Sequence, residues 1–498
     1  MKNIYNWNDF YHVMNKYLPH WVGELSGLTE DSFHCRGAYD RLPLEDEEEI
    51  RSQVFSETPN SAEETLRFLM KKVYIHRWRP NHPHYLSFIP DAVTPYSILG
   101  DIFNAIENPY GGSGEISPGP ALIEEQTLDF LGKLLNLGDK RGGVFTSGGS
   151  MSNLLAMVIA RNKKLKGDFS KGRIYASHQA HLSVSKGAHI LGFQPNQIIS
   201  IKTDDQYRMD PADLQKKIQL DLKEDRIPFL VIGTAGTTNT GAVDPLDSLA
   251  DICEEYHLWF HIDGAYGASM ILSDQKDLIQ GIHRGDSITW DGHKWLFQTY
   301  GCGILLVKNR ESLLASFHAQ GEYIEDLDQE DEIPNSWDMG LEMTRPIRGV
   351  KLWFTLQTLG LARIRQGINR CLSNGEKFAE RISQIDDVRI ITGPQMGIVN
   401  LRVEPKEVEE KNWDQVQSYL SKRGLALKNF AYLTTSLKKE RVLRFCFHHP
   451  LMSNESMEAL IDELKEGMME IKKDPQRIFE DPKVRSLIPP TDFILREI

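Results

Sequence analysis

Cysteine is scarce and scattered in this chain. Five stand among 498 residues (Cys35, Cys253, Cys302, Cys371 and Cys446), and no two form a CxxC pair. An odd set without a pairing pattern excludes a disulfide framework and fits a reducing compartment, so a cytoplasmic location is expected. Basic charge is also in short supply: 57 Lys and Arg against 70 Asp and Glu leave a net charge of −13. A nucleic-acid footprint would be basic. No apolar run approaches the roughly 20 residues that span a bilayer. The opening "MKNIYNWNDFYHVMNKYL" has neither the apolar core nor the small-residue cleavage site of a signal peptide. Neither nucleic acid nor membrane is therefore expected as a partner. Repeats and low-complexity tracts are missing too. One HxxH pair, His178 and His181, has no HExxH context and no cysteine near it, so no metal is expected.

What is present is an ordinary globular composition, 40% hydrophobic and 26% charged, in a chain long enough for more than one domain. Residues 1–75 read as charged helices and loops, with Ser61 as an N-cap and Glu64 three positions on. From about residue 140, short β runs alternate with helical patterns: "GGVFTS", "RIYAS", "IISI", "PFLVIGTAG", "LWFHIDGA", "SITWD" and "GCGILLV". That alternation predicts an α/β fold with a mostly parallel sheet covered on both faces. The division expected is a helical segment over 1–75, a large domain over 76–370, and a small α+β domain with a tail over 371–498. In the last of these, "GIVNLRV" and "VLRFCF" are the predicted strands.

Ligands of open α/β sheets sit beyond the carboxyl ends of the strands. Four features fall there. "TSGGSMSN" ends a strand and starts a helix at Ser150, with glycines that permit close backbone approach and amides that suit a phosphate. "FHIDGAYG" ends a buried strand in Asp263, which could serve as a cap, an ion-pair partner or the holder of a protonated pyridine nitrogen. "SHQAHLSV" supplies His178 and His181, either core histidines or a ring stacked on a flat cofactor. "WDGHKWLFQTYGCG" places Lys294 between two apolar runs, where a free ammonium is expensive to bury and a covalently bound nitrogen is not. A phosphate cradle, an acid and a lysine together are the complement of pyridoxal 5′-phosphate, with its 5′-phosphate, ring nitrogen and aldehyde.

These motifs, with "GTAGTTNTGAVDPL" and "DSITWDGHKW", resemble the pyridoxal-phosphate-dependent group II amino-acid decarboxylases. The similarity covers at least residues 75–450. It is strongest to bacterial tryptophan and aromatic-L-amino-acid decarboxylases, through "WFHIDGAYGAS", "HKWLFQTYGC" and "TRPIRGVKLW". The resemblance implies the fold-type-I architecture of pyridoxal-phosphate transferases, with a seven-stranded sheet in the large domain. It also implies a homodimer with sites at the interface and contacts from residues 1–75.

Carried over residue by residue, Lys294 would hold the cofactor through its aldehyde and Asp263 would pair with the ring nitrogen. His181 would stack on the ring and Ala265 would pack on the other face. Gly149 and Ser150 would hold the phosphate, with Asp291 and His293 nearby and Thr238 beside the cofactor. Tyr323, on a loop expected to act as a lid, would deliver the proton that replaces the carboxylate. Gly264 stands where relatives often have alanine. Phe88, Ile89 and Pro90 would line the side-chain pocket. The glycines of "YGGSGEISPG" are expected to leave room for an indole. The implied reaction is decarboxylation of an aromatic L-amino acid, foremost L-tryptophan to tryptamine and carbon dioxide. Alternatives are phenylalanine, tyrosine, glutamate or diaminobutyrate as substrate, or an aldehyde synthase.

Overall fold

The computed structural model describes residues 11–17, 19, 38, 41–55, 57–89, 92–318 and 333–475. These fall into two compact units. The first comprises the described residues up to 89, with 402–445 and 451–475; the second comprises 92–401 and 446–450. No described helix is long and apolar enough to cross a membrane.

The second unit is built on seven strands: β1 (Gly142–Thr146), β2 (Gly172–Ser177), β3 (Ile198–Ile201), β4 (Ile227–Thr234), β5 (Trp259–Asp263), β6 (Ser287–Asp291) and β7 (Gly303–Val307). They lie in the order β1-β7-β6-β5-β4-β2-β3. Strands β6, β5, β4, β2 and β3 pair in parallel, while β7 is antiparallel to both of its neighbours. Helical crossovers bring each parallel strand back in the same direction. Between β6 and β7 the chain takes only the short loop 292–302, so β7 returns antiparallel. Lys294 sits on that loop, at the carboxyl end of β6.

Strands β5, β6 and β7 are buried at every position, which is why their sequences read as continuous apolar runs rather than alternating ones. The helix Gly149–Leu165 buries Leu155, Ala156, Met157, Ile159 and Ala160 against Ile174, Leu230, Ile232 and Leu305. The leucine, isoleucine and methionine side chains among them contribute roughly 1.5–3 kcal/mol each when fully buried. The face that carries the site is thus held by the same helix whose first turn borders it. The long helix Gly349–Ile382 crosses residue 371 and kinks at Gly360, where φ is 69°.

In the first unit, Ser61 caps the helix Ala62–Phe68 by accepting from the Glu64 amide at 3.1 Å, as its sequence predicts. A four-stranded sheet in the C-terminal region runs β10-β11-β9-β8, with β8 Val388–Gln395, β9 Ile398–Val403, β10 Leu433–Leu437 and β11 Glu440–Cys446. Strands β9 and β11 are the two predicted ones. The unpredicted β8 and β10 are the sheet's edges. "VRIITGPQ" carries a Gly-Pro step that only an edge tolerates, and "LTTSL" is largely polar.

Candidate active site

Four strand ends and two helix starts converge on one cavity of about 320 Å³ in the second unit. Its base is the turn after β1. Thr146 Oγ1 accepts from the Gly148 amide at 3.3 Å and bonds Ser152 Oγ at 2.8 Å, which fixes the turn into the helix Gly149–Leu165. No side chain caps that helix; the Met151 and Ser152 amides donate to Gly148 O at 2.9 and 3.1 Å, and the Gly149 and Ser150 amides are left for another acceptor. A Cβ at Gly149 would stand 2.9 Å from Asp291 Oδ2 and 3.4 Å from Ala265 Cβ. Only glycine fits that close approach. The helix therefore begins one residue before Ser150.

Asp263 closes β5, with 4% of its surface exposed. Its Oδ1 accepts from the Ala265 amide at 3.2 Å and its Oδ2 from Asn153 Nδ2 at 2.9 Å. Asn153 itself is buried. It also donates to Ser183 Oγ at 2.9 Å, and its Oδ1 receives Thr289 Oγ1 at 2.7 Å and His261 Nε2 at 3.0 Å. Ser183 Oγ meets His181 Nδ1 at 2.8 Å. Burial pushes His261 down to about 4. His181 is exposed by surface area on one side, but the cavity walls desolvate its ring, and that lowers its pKa against the upward pull of Asp263. Both rings are therefore neutral near pH 7.

Asp291 closes β6 and is differently employed. Its Oδ2 lies 3.1 Å from Lys294 Nζ and 3.7 Å from His293 Nε2. Its Oδ1 and His293 Nδ1 are buried without a hydrogen-bond partner among the described residues. Desolvation also lowers the pKa of His293.

Thr238 reaches the cavity from the turn after β4. That turn is held by Thr237 Oγ1 against Thr240 Oγ1 at 2.7 Å and by left-handed Gly236 and Gly241. Beneath it, fully buried Asp244 accepts from the Met209 and Thr234 amides at 2.7 and 2.8 Å, and burial raises its pKa to about 6.

The fold thus gathers Gly149, Ser150, His181, Thr238, Asp263, Ala265, Asp291, His293 and Lys294 around a single space. His178 is exposed and does not line it. No group of three or more His, Cys, Asp or Glu suited to a metal occurs among the described residues. Phe88 and Ile89 belong to the first unit. Phe88 is exposed, with a left-handed φ of 55°, and its carbonyl accepts from Arg444. Pro90 and Tyr323 lie outside the described residues.

In the run 110–119, Cβ atoms at Gly111 and Gly114 would meet Arg345 O at 2.7 Å and Ile333 Cγ2 at 2.6 Å, and one at Gly112 would meet Met343 O, while a Cβ at Gly119 would meet nothing within 4 Å. The first three glycines admit neighbouring parts of the chain itself. Sequence reasoning missed Asn153, Ser183, His261 and Thr289. Their signal was a set of polar residues at positions where the strand and helix patterns demand burial.

The arrangement fits pyridoxal phosphate: a glycine-shaped cradle with uncapped amides, a preorganised carboxylate and a lysine amine share one cavity. A family model described as the pyridoxal-dependent decarboxylase conserved domain matches residues 49–404. The chain is 35% identical over 428 residues to an aromatic-L-amino-acid decarboxylase of Bacillus atrophaeus, covering 84% of this chain and 89% of that one. Among solved structures it is similar to Oryza sativa TDC with PLP and tryptamine, with a TM-score of 0.88 at 24% identity over 95% of this chain and 100% of that one. It is also similar to Rhodiola rosea 4-hydroxyphenylacetaldehyde synthase, with a TM-score of 0.85 at 21% identity over 94% and 99%. These two likenesses speak for the fold. The domain match and the Bacillus relative go further: this chain belongs to the pyridoxal-phosphate-dependent amino-acid decarboxylases, carboxy-lyases that work through that cofactor.

Proposed function

We propose that the substrate is an aromatic L-amino acid, foremost L-tryptophan, converted to tryptamine and carbon dioxide. The observation that carries the aromatic reading is the 35% identity with the Bacillus atrophaeus enzyme across most of both chains. The narrower choice of tryptophan rests on the motifs "WFHIDGAYGAS" and "HKWLFQTYGC" and their resemblance to bacterial tryptophan decarboxylases.

Bound pyridoxal phosphate supplies the electron sink for the bond to the departing carboxylate. The chain's own residues do the rest. The first turn of the helix Gly149–Leu165 would offer the Gly149 and Ser150 amides and a positive helix end to a phosphate, with Thr238 beside the cofactor. Lys294 Nζ supplies the amine that anchors the aldehyde. Asp263, held by two neutral donors, would be the anionic partner of the ring nitrogen and would favour its protonated form. His181 and Ala265 are assigned to its two faces.

When carbon dioxide leaves, a proton must take its place on Cα, and we assign its delivery to Tyr323. Phe88 with Ile89 and Pro90 is assigned to the side-chain pocket. A large exposed aromatic at a left-handed φ is costly unless it has work to do. The homodimer belongs to the same reading. The helix Pro95–Glu107 leaves Ile98, Leu99, Phe103 and Ile106 exposed along one side, a face suited to a second copy. A reducing, cytoplasmic setting accords with the free state of Cys253, Cys302, Cys371 and Cys446.

The test is an assay of the loaded enzyme with each of the 20 amino acids, scoring carbon dioxide and product mass. Tryptophan should give equal carbon dioxide and tryptamine at the highest kcat/KM. Preference for glutamate or diaminobutyrate overturns the aromatic reading, and preference for tyrosine or phenylalanine overturns tryptophan alone. Aldehyde with ammonia and peroxide would make the chain an aldehyde synthase. Tyr323→Phe should lower amine output while carbon dioxide release persists; unchanged amine output removes Tyr323 from the reaction.

A further inference from the structure

The polar groups beneath the cavity have one direction of donation. Trp259 Nε1 can only donate, and it does so to Ser287 Oγ at 2.9 Å. The Ser287 hydroxyl proton is then free to point at His261 Nδ1, 2.8 Å away. Its Nε2 faces Asn153 Oδ1 at 3.0 Å, so wherever that amide oxygen is the acceptor the ring proton sits on Nε2 and Nδ1 takes the Ser287 proton. From the other side, the Asp263 carboxylate only accepts, so the group of Asn153 that faces it at 2.9 Å must be the amide nitrogen. The Asp263 end fixes the orientation of Asn153, and the donor Trp259 at the other end is compatible with it.

The second N–H of that amide goes to Ser183 Oγ at 2.9 Å, which turns the serine proton toward His181 Nδ1 at 2.8 Å. The Ser183 amide, again only a donor, points at the same Nδ1 at 3.2 Å. With Nδ1 accepting twice, the proton of His181 resides on Nε2. Burial keeps His261 neutral, as its acceptor role requires.

We propose that Trp259, Ser287, His261, Asn153 and Ser183 form a one-way relay that fixes His181 as the Nε2–H tautomer, an N–H donor turned to the reacting molecule. Asn153 is the shared positioning residue that orients both His181 and Asp263. This deepens the reading of the site given above and rests on it for the identity of the reacting molecule. The tautomer itself follows from the chain alone. The relay joins the first residues of β5 and β6 to the helices Gly149–Leu165 and Ser183–Ile190, so a change at Trp259 is felt at His181 without contact between them.

The experiment is nitrogen NMR of protein labelled with ¹⁵N-histidine, with and without cofactor. The His181 signals are identified by their loss in His181→Gln. The expected spectrum has a protonated Nε2 and a bare, doubly hydrogen-bonded Nδ1. In Ser183→Ala, Nδ1 keeps only the backbone donor. Its signal should move toward that of a free acceptor, with turnover down about tenfold, about 1.4 kcal/mol, and cofactor affinity unchanged. Asn153→Ala should shift the same signal and weaken cofactor binding as well, because Asp263 loses a donor.

A protonated Nδ1 in the unaltered protein overturns the relay. So does an Asn153→Ala protein with the original Nδ1 signal and cofactor affinity. An Nε2–H tautomer in a protein that decarboxylates nothing would sink the functional reading and leave the relay standing. An Nδ1–H tautomer in an active decarboxylase would do the reverse. Should Asn153→Ala fail to fold, the unaltered protein and Ser183→Ala still decide.

Discussion

Strands β5 and β6 lie side by side, and each ends in a buried aspartate that borders the same cavity. Their surroundings differ in kind. Asp263 is held by neutral donors, the Ala265 amide and Asn153 Nδ2. Asp291 faces a cation, Lys294 Nζ at 3.1 Å, and its second oxygen has no partner among the described residues. Neutral dipoles fix an acid in place without using up its charge, so Asp263 is preorganised for a lasting cationic partner from outside the chain. The charge of Asp291 is already engaged by an amine that must leave it to react. One acid suits a permanent contact and the other a temporary one.

The sharpest way to break this contrast is to remove the amine. Lys294→Ala should leave a folded protein without the visible absorbance of a lysine-bound aldehyde. Its turnover should fall by about three decades or more, as when a group acting at the reacting centre is lost. Multiple turnovers near the original rate would end the assignment. Asp263→Ala comes next, with an expected fall of about two decades in kcat at saturating cofactor, each decade being about 1.4 kcal/mol. A rate within about threefold of the original would show that Asp263 is no more than a structural acid.

The scaffold under Asp263 can be tested through pH. His261, two residues earlier in β5, is pushed by burial to about 4 from an ordinary 6.5. Between those values the unfolded chain binds a proton that the native chain refuses, so stability is lost as pH falls from about 6.5 to 4. At about 1.4 kcal/mol per pH unit the loss is about 3 kcal/mol. Asp244 has the opposite sign. Raised to about 6 from 3.8, it holds a proton in the native chain that the unfolded chain has released, so its contribution grows as pH falls through the same range. The two nearly offset each other in the intact protein. Denaturant unfolding of His261→Gln beside the unaltered protein isolates the first term. The difference between them should shrink by about 3 kcal/mol from pH 6.5 to 4, and a constant difference would refute the buried neutral ring.

Much of this was legible in the sequence because each motif is local. A glycine turn, an acid ending an apolar strand and a lysine after another strand are read within a few residues, and the parallel sheet brings their ends together. What stayed hidden was non-local. Nothing near Asn153 says that its amide meets Asp263, 110 positions away. Strands β8 and β10 escaped because edges tolerate Gly-Pro and polar residues that interior strands refuse. The glycines of 111–114 are a like case. A missing side chain marks a close approach, but the sequence does not name the approaching group, here the backbone of residues 333–346.

The finest test of the contrast is Asp291→Asn, which keeps the shape and removes the charge. Asp291 Oδ2 lies against both Lys294 Nζ and the glycine cradle assigned to a phosphate. Removing its charge frees the amine from an ion pair and takes an anion away from an anion site. Cofactor capture by the apo-enzyme, followed as the rise of visible absorbance after mixing, should therefore speed up by a few-fold, less than about 1.4 kcal/mol in the barrier. Turnover of the loaded enzyme should fall by less than about tenfold, since Asn can still accept a hydrogen bond from an amine. If capture slows, or if turnover drops as far as in Asp263→Ala, the two acids do not divide their labour in this way. Asp291 would then hold the loaded cofactor as firmly as its neighbour does.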